Sequence, residues 1–498
     1  MENGLNKKYG LLTAICMVVG IVVGSGVFFK AQTILQKTEG NMVMGIWAWL
    51  IGGAIMLCCI AAFSIMATKY EKVNGIVDYA EATVGRKYGY VVGWFLTMIY
   101  YPTLTSVLAW LSARYTLVFL TSAFPNRITL VIPAAEGGCV IGPECMALSV
   151  FFLCAAYAVN ALSPKIAGHF QVATTIIKLI PLLLMAVVGI IVGLASDQGL
   201  LLENMANPGA ETTGNPLFGA IVATAFAYEG WIIATSINAE LKDAKRNLPI
   251  ALIAGGIIIV AIYLFYYIGV AGGATVEDLM HDGATTAYLN IFGGAFGNIL
   301  NLFVAISCMG TLNGLMLGCT RGIYAVATRG EGPHPEMFRQ VDKVTNMPNN
   351  ASILGLLLCG FWFLFFYGSN LAAFGWFGLF SFDSSELPIV TIYALYIPIY
   401  LMFMKKATDL SFTRRYLIPA LGLIGSVFMV CAAIYAHGIQ PYLAAKASGG
   451  FACPIVFYLI FFAVVLVWGL AHYKNRQADA RTPQASAEPA PEAGQKCT

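Results

Sequence analysis

Long apolar runs recur along this chain between short polar segments, and that repetition limits the fold more than any single motif. Twelve runs fall at approximately 11–37, 43–68, 88–118, 147–162, 166–194, 217–239, 248–272, 293–327, 350–367, 371–404, 414–437 and 451–472. Most are long enough for a helix to cross a ~30 Å hydrocarbon core; the fourth is short. In lipid, backbone polar groups must be paired within the protein, so each run reads as a helix. Composition agrees: the 498 residues are 59% hydrophobic and 11% charged, against about 25% charged for soluble domains. The expected fold class is therefore an all-α integral membrane protein with twelve transmembrane helices. The longest gap, 119–146, is too short for a soluble catalytic domain. A net charge of +3 is too small to suggest a nucleic-acid partner.

Residues 1–10 are mostly polar and read as a cytoplasmic N-terminus. The first apolar run is too long for the core of a cleavable signal. Residues 473–498 are rich in Pro, Ala, Glu and Gln and read as a disordered cytoplasmic tail. An even number of spans puts both termini on one side. That side collects most of the 28 basic residues, among them Lys7, Lys8, Lys69, Lys72, Arg86, Lys87, Lys165, Arg321, Arg329, Lys405 and Arg414. The opposite side holds Arg114, Arg127 and Lys446, and its loops at 195–216 and 273–291 carry acids without Lys or Arg. The excess of Lys and Arg marks the cytoplasmic side.

Two runs are interrupted. "IVVGSGVFF" at 21–29 places Gly24, Ser25 and Gly26 within an apolar stretch, although glycine costs roughly 1 kcal/mol per helical position. The sixth run reads "AFAYEGWIIA" at 225–234 and places Glu229 and Gly230 near its centre. The breaks are five runs apart. This suggests two halves, residues 11–194 and 217–404, each opening on a broken helix, followed by a helix pair at 414–472. Paired broken segments are the best sequence pointer to a transporter's binding site. A half-helix start offers bare N–H groups to a carboxylate, and a half-helix end offers bare C=O groups to an ammonium. The competing explanation of Gly-Ser-Gly is close helix packing; the second break and the charge pattern favour a site for a small zwitterion.

"GIVVGSGVFF" at 20–29, "FAYEGW" at 226–231, "AELKDAKRNLPIAL" at 239–252 and "GTLNGLMLGCTRGIYAVATRG" at 310–330 resemble the amino acid–polyamine–organocation superfamily. Within it they most resemble the L-amino acid transporter branch and its bacterial relatives. The resemblance covers roughly residues 8–472 and implies a five-plus-five inverted repeat, the LeuT-like fold, with helices 1 and 6 unwound at the substrate. It implies that Val22, Ser25 and Gly26, with the turn at Gly24, meet the substrate carboxylate. The carbonyls of Phe226, Ala227 and Glu229 would meet its amine, Phe226 would gate the site, and Asn313 would lie near the substrate. Many members carry glycine where this chain has Glu229, and some bacterial relatives carry an acid there. The Glu229 side chain would face either the site or a neighbouring helix, which leaves the class of substrate side chain open.

Lys178, Glu229, Asp383 and Glu386 lie inside the apolar runs, where each costs ~2.5–3.5 kcal/mol or more unless paired. The resemblance places Lys178 where sodium-coupled proteins of this fold hold an ion. A fixed ammonium there would replace that ion, carry a proton, or form an ion pair with one of the three acids. Asp383 and Glu386 are three apart and expected to share a helix face. They would line the outer vestibule, take part in proton transfer, or sit at a solvated helix end. His169, His281, His334, His437 and His472 show no metal-ligand spacing and are expected in loops or at helix ends. No metal or cofactor is expected. Most of the 12 cysteines read as small core residues. Cys139 and Cys145 are expected in a loop outside the membrane, as a disulfide or as separate thiols.

These features point to a sodium-independent carrier that exchanges neutral L-amino acids by alternating access in a bacterial inner membrane. Proton-driven uptake, of cationic amino acids or polyamines among others, is the second expectation. A channel would want a continuous polar pore, and a membrane enzyme would want a catalytic cluster; the spans suggest neither. The bilayer and a small-molecule substrate are the expected partners, with no obligate protein partner. The eukaryotic branch links to a single-span protein through a cysteine in the comparable third-to-fourth loop, but the loop here does not match.

Overall fold

The structure, a computed structural model, describes residues 10–70, 75–124, 142–162, 170, 173–174, 176–195, 200–210, 214–234, 241–342, 347–371 and 376–473. Within them the chain is almost entirely helical. In order the elements are α1 Leu11–Val22, α2 Gly26–Lys37, α3 Met42–Tyr70, α4 Ile76–Thr83, α5 Arg86–Ala123, α6 Pro143–Leu162, α7 Leu179–Ala195 and α8 Leu200–Ala206. Then come α9 Pro216–Ala227, α10 Trp231–Ala234, α11 Ala244–Ala271, α12 Val276–Asp282, α13 Ala284–Phe292, α14 Gly294–Thr328 and α15 Pro335–Phe338. The last four are α16 Asn349–Leu371, α17 Leu387–Lys406, α18 Thr413–Ala447 and α19 Pro454–Ala471.

Among the described residues nine helices are long and apolar enough to cross a membrane: α3, α5, α6, α11, α14, α16, α17, α18 and α19. The expected runs at 11–37 and 217–239 are missing from that number because they break. Each leaves a first half of 12 residues, α1 or α9, too short to cross alone. The run at 166–194 extends beyond the described residues. So do the expectations for residues 1–9, Cys139, His169 and the tail from 474 onward.

The centre of the bundle is built from helix pairs. α5 and α14 pack along one another over much of their length, and so do α3 and α11. α2 packs against α9, which brings the second half of one broken run beside the first half of the other. α5 is lined with buried side chains from Tyr90 to Leu117, the pattern of a helix surrounded by protein rather than lipid. Large apolar side chains on α16, α18 and α19, such as Leu357, Ile424 and Val464, stay exposed, as surfaces facing hydrocarbon must.

Several expectations need correction. Asp383 and Glu386 do not share a helix face, because residues 381–386 are not helical and α17 starts at Leu387. Asp383 instead closes a turn: its Oδ1 accepts from the Ser385 N–H at 2.8 Å, the Ser385 hydroxyl at 2.7 Å and the Glu386 N–H at 3.1 Å. Pro388, in the first turn of α17, suits a helix start because its missing N–H would be unsatisfied there anyway. His437 is not at a helix end. It is buried in a π-helical stretch, Tyr435–Ile439, within α18. Cys145 sits buried in the first turn of α6 rather than in the preceding loop. Arg114, assigned to the far side, is buried in α5 and donates to Gln32 Oε1 at 2.9 Å. The loops at 195–216 and 273–291 contain the short helices α8, α12 and α13.

Candidate functional site

The first break begins where α1 stops at Val22. Val23 is extended, with φ −65° and ψ 105°, and α2 restarts at Gly26. A helix end leaves its last carbonyls without partners, and here other helices supply them. The Tyr263 hydroxyl of α11 donates to the Val22 carbonyl at 3.1 Å. The Lys178 ammonium, at the start of α7, donates to the Gly20 carbonyl. Among the described residues no carboxylate pairs with Lys178, which is buried. On the other side of the break, the first N–H groups of α2 have no preceding helical turn behind them. The Ser25 hydroxyl is also buried without a hydrogen bond among the described residues; it lies beside the Cys308 thiol of α14.

The second break begins where α9 stops at Ala227. Gly230 has φ +103°, a conformation that L side chains rarely adopt, so glycine is required at that turn. The turn is anchored on both sides. Tyr228 donates to the Trp49 carbonyl at 3.0 Å and stacks on Tyr263, while Trp231 is fully buried. Glu229 Oε1 accepts from the Tyr100 hydroxyl of α5 at 2.5 Å. Its second oxygen, Oε2, is buried without a hydrogen bond among the described residues.

The two breaks touch. They wall a cavity of about 230 Å³ lined by Val22, Gly24, Ser25 and Gly26 from the first, and by Phe226, Ala227, Glu229 and Gly230 from the second. Lys178, Tyr100 and Thr311 complete its polar lining, and Leu104, Leu108 and Leu315 are among its apolar lining. The volume is below the roughly 300–1,000 Å³ of sites for drug-sized ligands, so it suits a small molecule. The cavity wall offers helix-start N–H groups of α2 and, beside them, helix-end carbonyls of α9. That arrangement complements a molecule carrying both a carboxylate and an ammonium.

Not every expected residue reaches the cavity. α14 lines it with Thr311, Gly314 and Leu315, whereas Asn313 accepts hydrogen bonds from Asn160 of α6, at 2.9 Å to its side chain and 3.1 Å to its carbonyl. Asp383 and Glu386 are not among the lining residues either. Glu386 is the hub of a buried cluster further along α2. Its Oε1 lies 2.7 Å from the Lys30 ammonium, and its Oε2 lies 3.0 Å from Lys37 and 3.1 Å from His437 Nε2. Reading the acids alone misses Lys30, Lys37 and His437. Lys30 and Lys37, seven apart within an apolar run, were the available signal.

A second cavity, about 250 Å³, lies at the end of the bundle where α4 and α5 begin, and Tyr90, Tyr101, Ile232, Arg329 and Glu331 are among its lining. Ion pairs surround it. Arg329 holds Asp78 at 2.8 Å and Glu81 at 2.9 Å, and Arg86 holds Glu331 at 2.8 Å. Burial pushes the Glu331 carboxyl above its usual range, against the opposing pull of Arg86. These partly exposed pairs lie away from the unwound backbone, so the smaller cavity is the better candidate site.

The comparisons with known proteins agree with this geometry. The family model for amino acid permeases matches residues 9–447. The chain is 29% identical over 440 residues to the serine/threonine exchanger SteT of Bacillus subtilis, covering 86% of this chain and 91% of that protein. It is 25% identical over 363 residues to the human Asc-type amino acid transporter 1, covering 71% of this chain and 64% of that one. It is 23% identical over 347 residues to the human cystine/glutamate transporter, covering 69% and 66%. With the match extending over most of its length and two broken helices around one small cavity, the chain belongs to the amino acid permease family.

Proposed function

We propose that the protein exchanges small neutral L-amino acids by alternating access, without sodium, and that its site is the cavity between the two breaks. In this reading the first-turn N–H groups of α2 hold the substrate carboxylate, and the last carbonyls of α9 hold its ammonium. Val22, Gly24, Ser25 and Gly26 form the carboxylate side, and Phe226, Ala227 and Glu229 the amine side. Phe226 caps the site. The observation that carries the reading is the Lys178 ammonium on the Gly20 carbonyl, beside the unwound turn that lines the cavity. A resident cation there leaves no electrostatic need for a bound metal ion. The similarity to a serine/threonine exchanger supports exchange and a small substrate.

The five-plus-five repeat, with halves at 11–194 and 217–404, belongs to the same proposal, as do cytoplasmic termini, a bacterial inner membrane and activity without a second protein. Purified protein in liposomes loaded with unlabelled L-serine tests it. Labelled L-serine uptake should depend on the internal amino acid and be indifferent to sodium. Equal uptake into empty liposomes would refute exchange, and stimulation by sodium would refute the role of Lys178.

A second reading, proton-driven uptake of an amino acid with a cationic side chain, rests on Glu229. Its buried Oε2 lacks a hydrogen bond and lines the same cavity. Uptake driven by an inward proton gradient, with lysine or arginine competing better than serine, would favour it over the first.

A further inference from the structure

The cavity is walled off from the end of the bundle at which α2 stops by two layers. The first is aromatic. Phe226 lines the cavity and meets Phe29 edge to face, with centroids 6.1 Å apart, and Phe29 meets Trp110 at 5.6 Å. The second is ionic. The Lys30 ammonium lies 5.0 Å from the Phe29 ring and 5.2 Å from the Phe226 ring, and it donates to Glu386 Oε1 at 2.7 Å. Glu386 also takes Lys37 and His437, so one carboxylate joins α2, the turn before α17, and α18.

This cluster is in the wrong place to serve stability alone. Burying charges costs desolvation energy, and apolar replacements of buried ion pairs are often neutral or stabilising. Its value is in what it connects. Residue 30 is one helical turn beyond Gly26, so a ligand leaving toward Lys37 must pass Phe226, and Phe226 cannot swing away without leaving the ammonium above it. We propose that the Lys30–Glu386 pair is the latch of this face, with Lys30 a positioning residue that acts through Phe226. Opening parts α2 from the turn before α17. His437, on α18 rather than α2, keeps the carboxylate hydrogen-bonded during that motion, so it is never left as a lone buried charge.

The proposal rests on reading the chain as an alternating-access carrier, but its test reads access, not transport. Thr311, which lines the cavity, is replaced by cysteine. Sealed vesicles are used in the orientation in which a cysteine at exposed Ser448, at the same end of the bundle, is labelled from outside. A membrane-impermeant maleimide is added, and mass spectrometry reads each site separately. Buried Cys359 of α16 is the internal control. In Lys30→Met, labelling at 311 should rise about tenfold or more, the effect of losing one charge-assisted bond, with Cys359 unchanged. Lys30→Arg, which keeps both the cation beside Phe226 and a donor to Glu386, should keep labelling slow, an outcome that mere loosening by substitution would not give. An unchanged rate at 311, or an equal rise at Cys359, overturns the latch. Should Lys30→Met fail to accumulate, Lys37→Gln decides, since Glu386 keeps its other two partners. Labelling a few-fold faster supports the latch and an unchanged rate overturns it. Failure here leaves the substrate reading standing, and an inactive protein in liposomes would leave the labelling result intact.

Discussion

Gly26 and Ala227 meet backbone to backbone: a Cβ added at Gly26 would lie 2.7 Å from the Ala227 Cα and 3.2 Å from the Phe226 carbonyl oxygen. The first break therefore needs a glycine for a reason beyond helix unwinding. The start of α2 and the end of α9 form one wall of the cavity only if nothing separates them. Gly26→Leu should abolish amino acid binding while folded protein persists. Gly26→Ala should already weaken binding, because a backbone neighbour cannot move as a flexible side chain can. Overpacking of this kind costs ~1–3 kcal/mol, or about five- to hundredfold in affinity. Equilibrium binding of labelled L-serine to purified protein checks it; wild-type affinity in Gly26→Leu would refute the site.

Phe226 lines the cavity, and the Lys30 ammonium lies 5.2 Å from the centre of its ring. Phe226→Ala should slow exchange and speed the release of bound substrate, while Phe226→Trp keeps partial activity because a larger ring still reaches both the cavity and the ammonium. Stopped-flow release rates separate this from a core packing role. A packing role predicts lower thermal stability with an unchanged release rate.

The two breaks and the buried lysine were legible in the sequence because each violates the local rule of an apolar helix. Gly24, Ser25 and Gly26 interrupt an apolar run, Gly230 marks a turn, and Lys178 is a charge among Ile and Leu. The Glu386 cluster was not legible, because its members lie 51 to 356 residues from Glu386 in sequence: Lys30 is 356 residues away, Lys37 is 349 and His437 is 51. No local pattern encodes that meeting. The misplacement of Asn313 has a simpler cause. Thr311, Gly314 and Leu315 lie on one face of α14 at spacings of three and four, and position 313 falls on another face. The start of α17 was readable from Pro388, but the over-long apolar run hid it.

Glu229 sits in the cavity with one oxygen bonded to Tyr100 and the other without a hydrogen bond among the described residues. Glu229→Gln keeps the shape and removes the charge. If the carboxylate selects substrates by charge, the variant should lose cationic competitors of labelled uptake about tenfold more than neutral ones, roughly the value of one hydrogen bond to a charged group. Tyr100→Phe frees the first oxygen and should shift the profile the opposite way. An unaltered competition profile in both variants would mean that Glu229 serves the fold of the turn rather than selectivity.

Lys178 donates to the Gly20 carbonyl at the end of α1, so its role can be stated in terms of one bond. A charge-assisted hydrogen bond contributes ~1.5–3 kcal/mol, about tenfold to hundredfold in an equilibrium. If the ammonium holds the broken helix in register, Lys178→Ala should lower exchange by that factor while folded protein falls far less. Lys178→Arg should restore only part of the activity, because a planar fork cannot take the place of a compact ammonium beside one carbonyl. Lys178→Met keeps the side-chain volume and tests the charge alone; it should behave like Ala. A proton-carrying lysine makes a different forecast: uptake driven by an inward proton gradient, and loss of that drive in Lys178→Ala with exchange between equal pools retained. Measuring gradient-driven uptake and equal-pool exchange on the same proteoliposomes separates the two. A tether loses both together, whereas a proton carrier loses only the first.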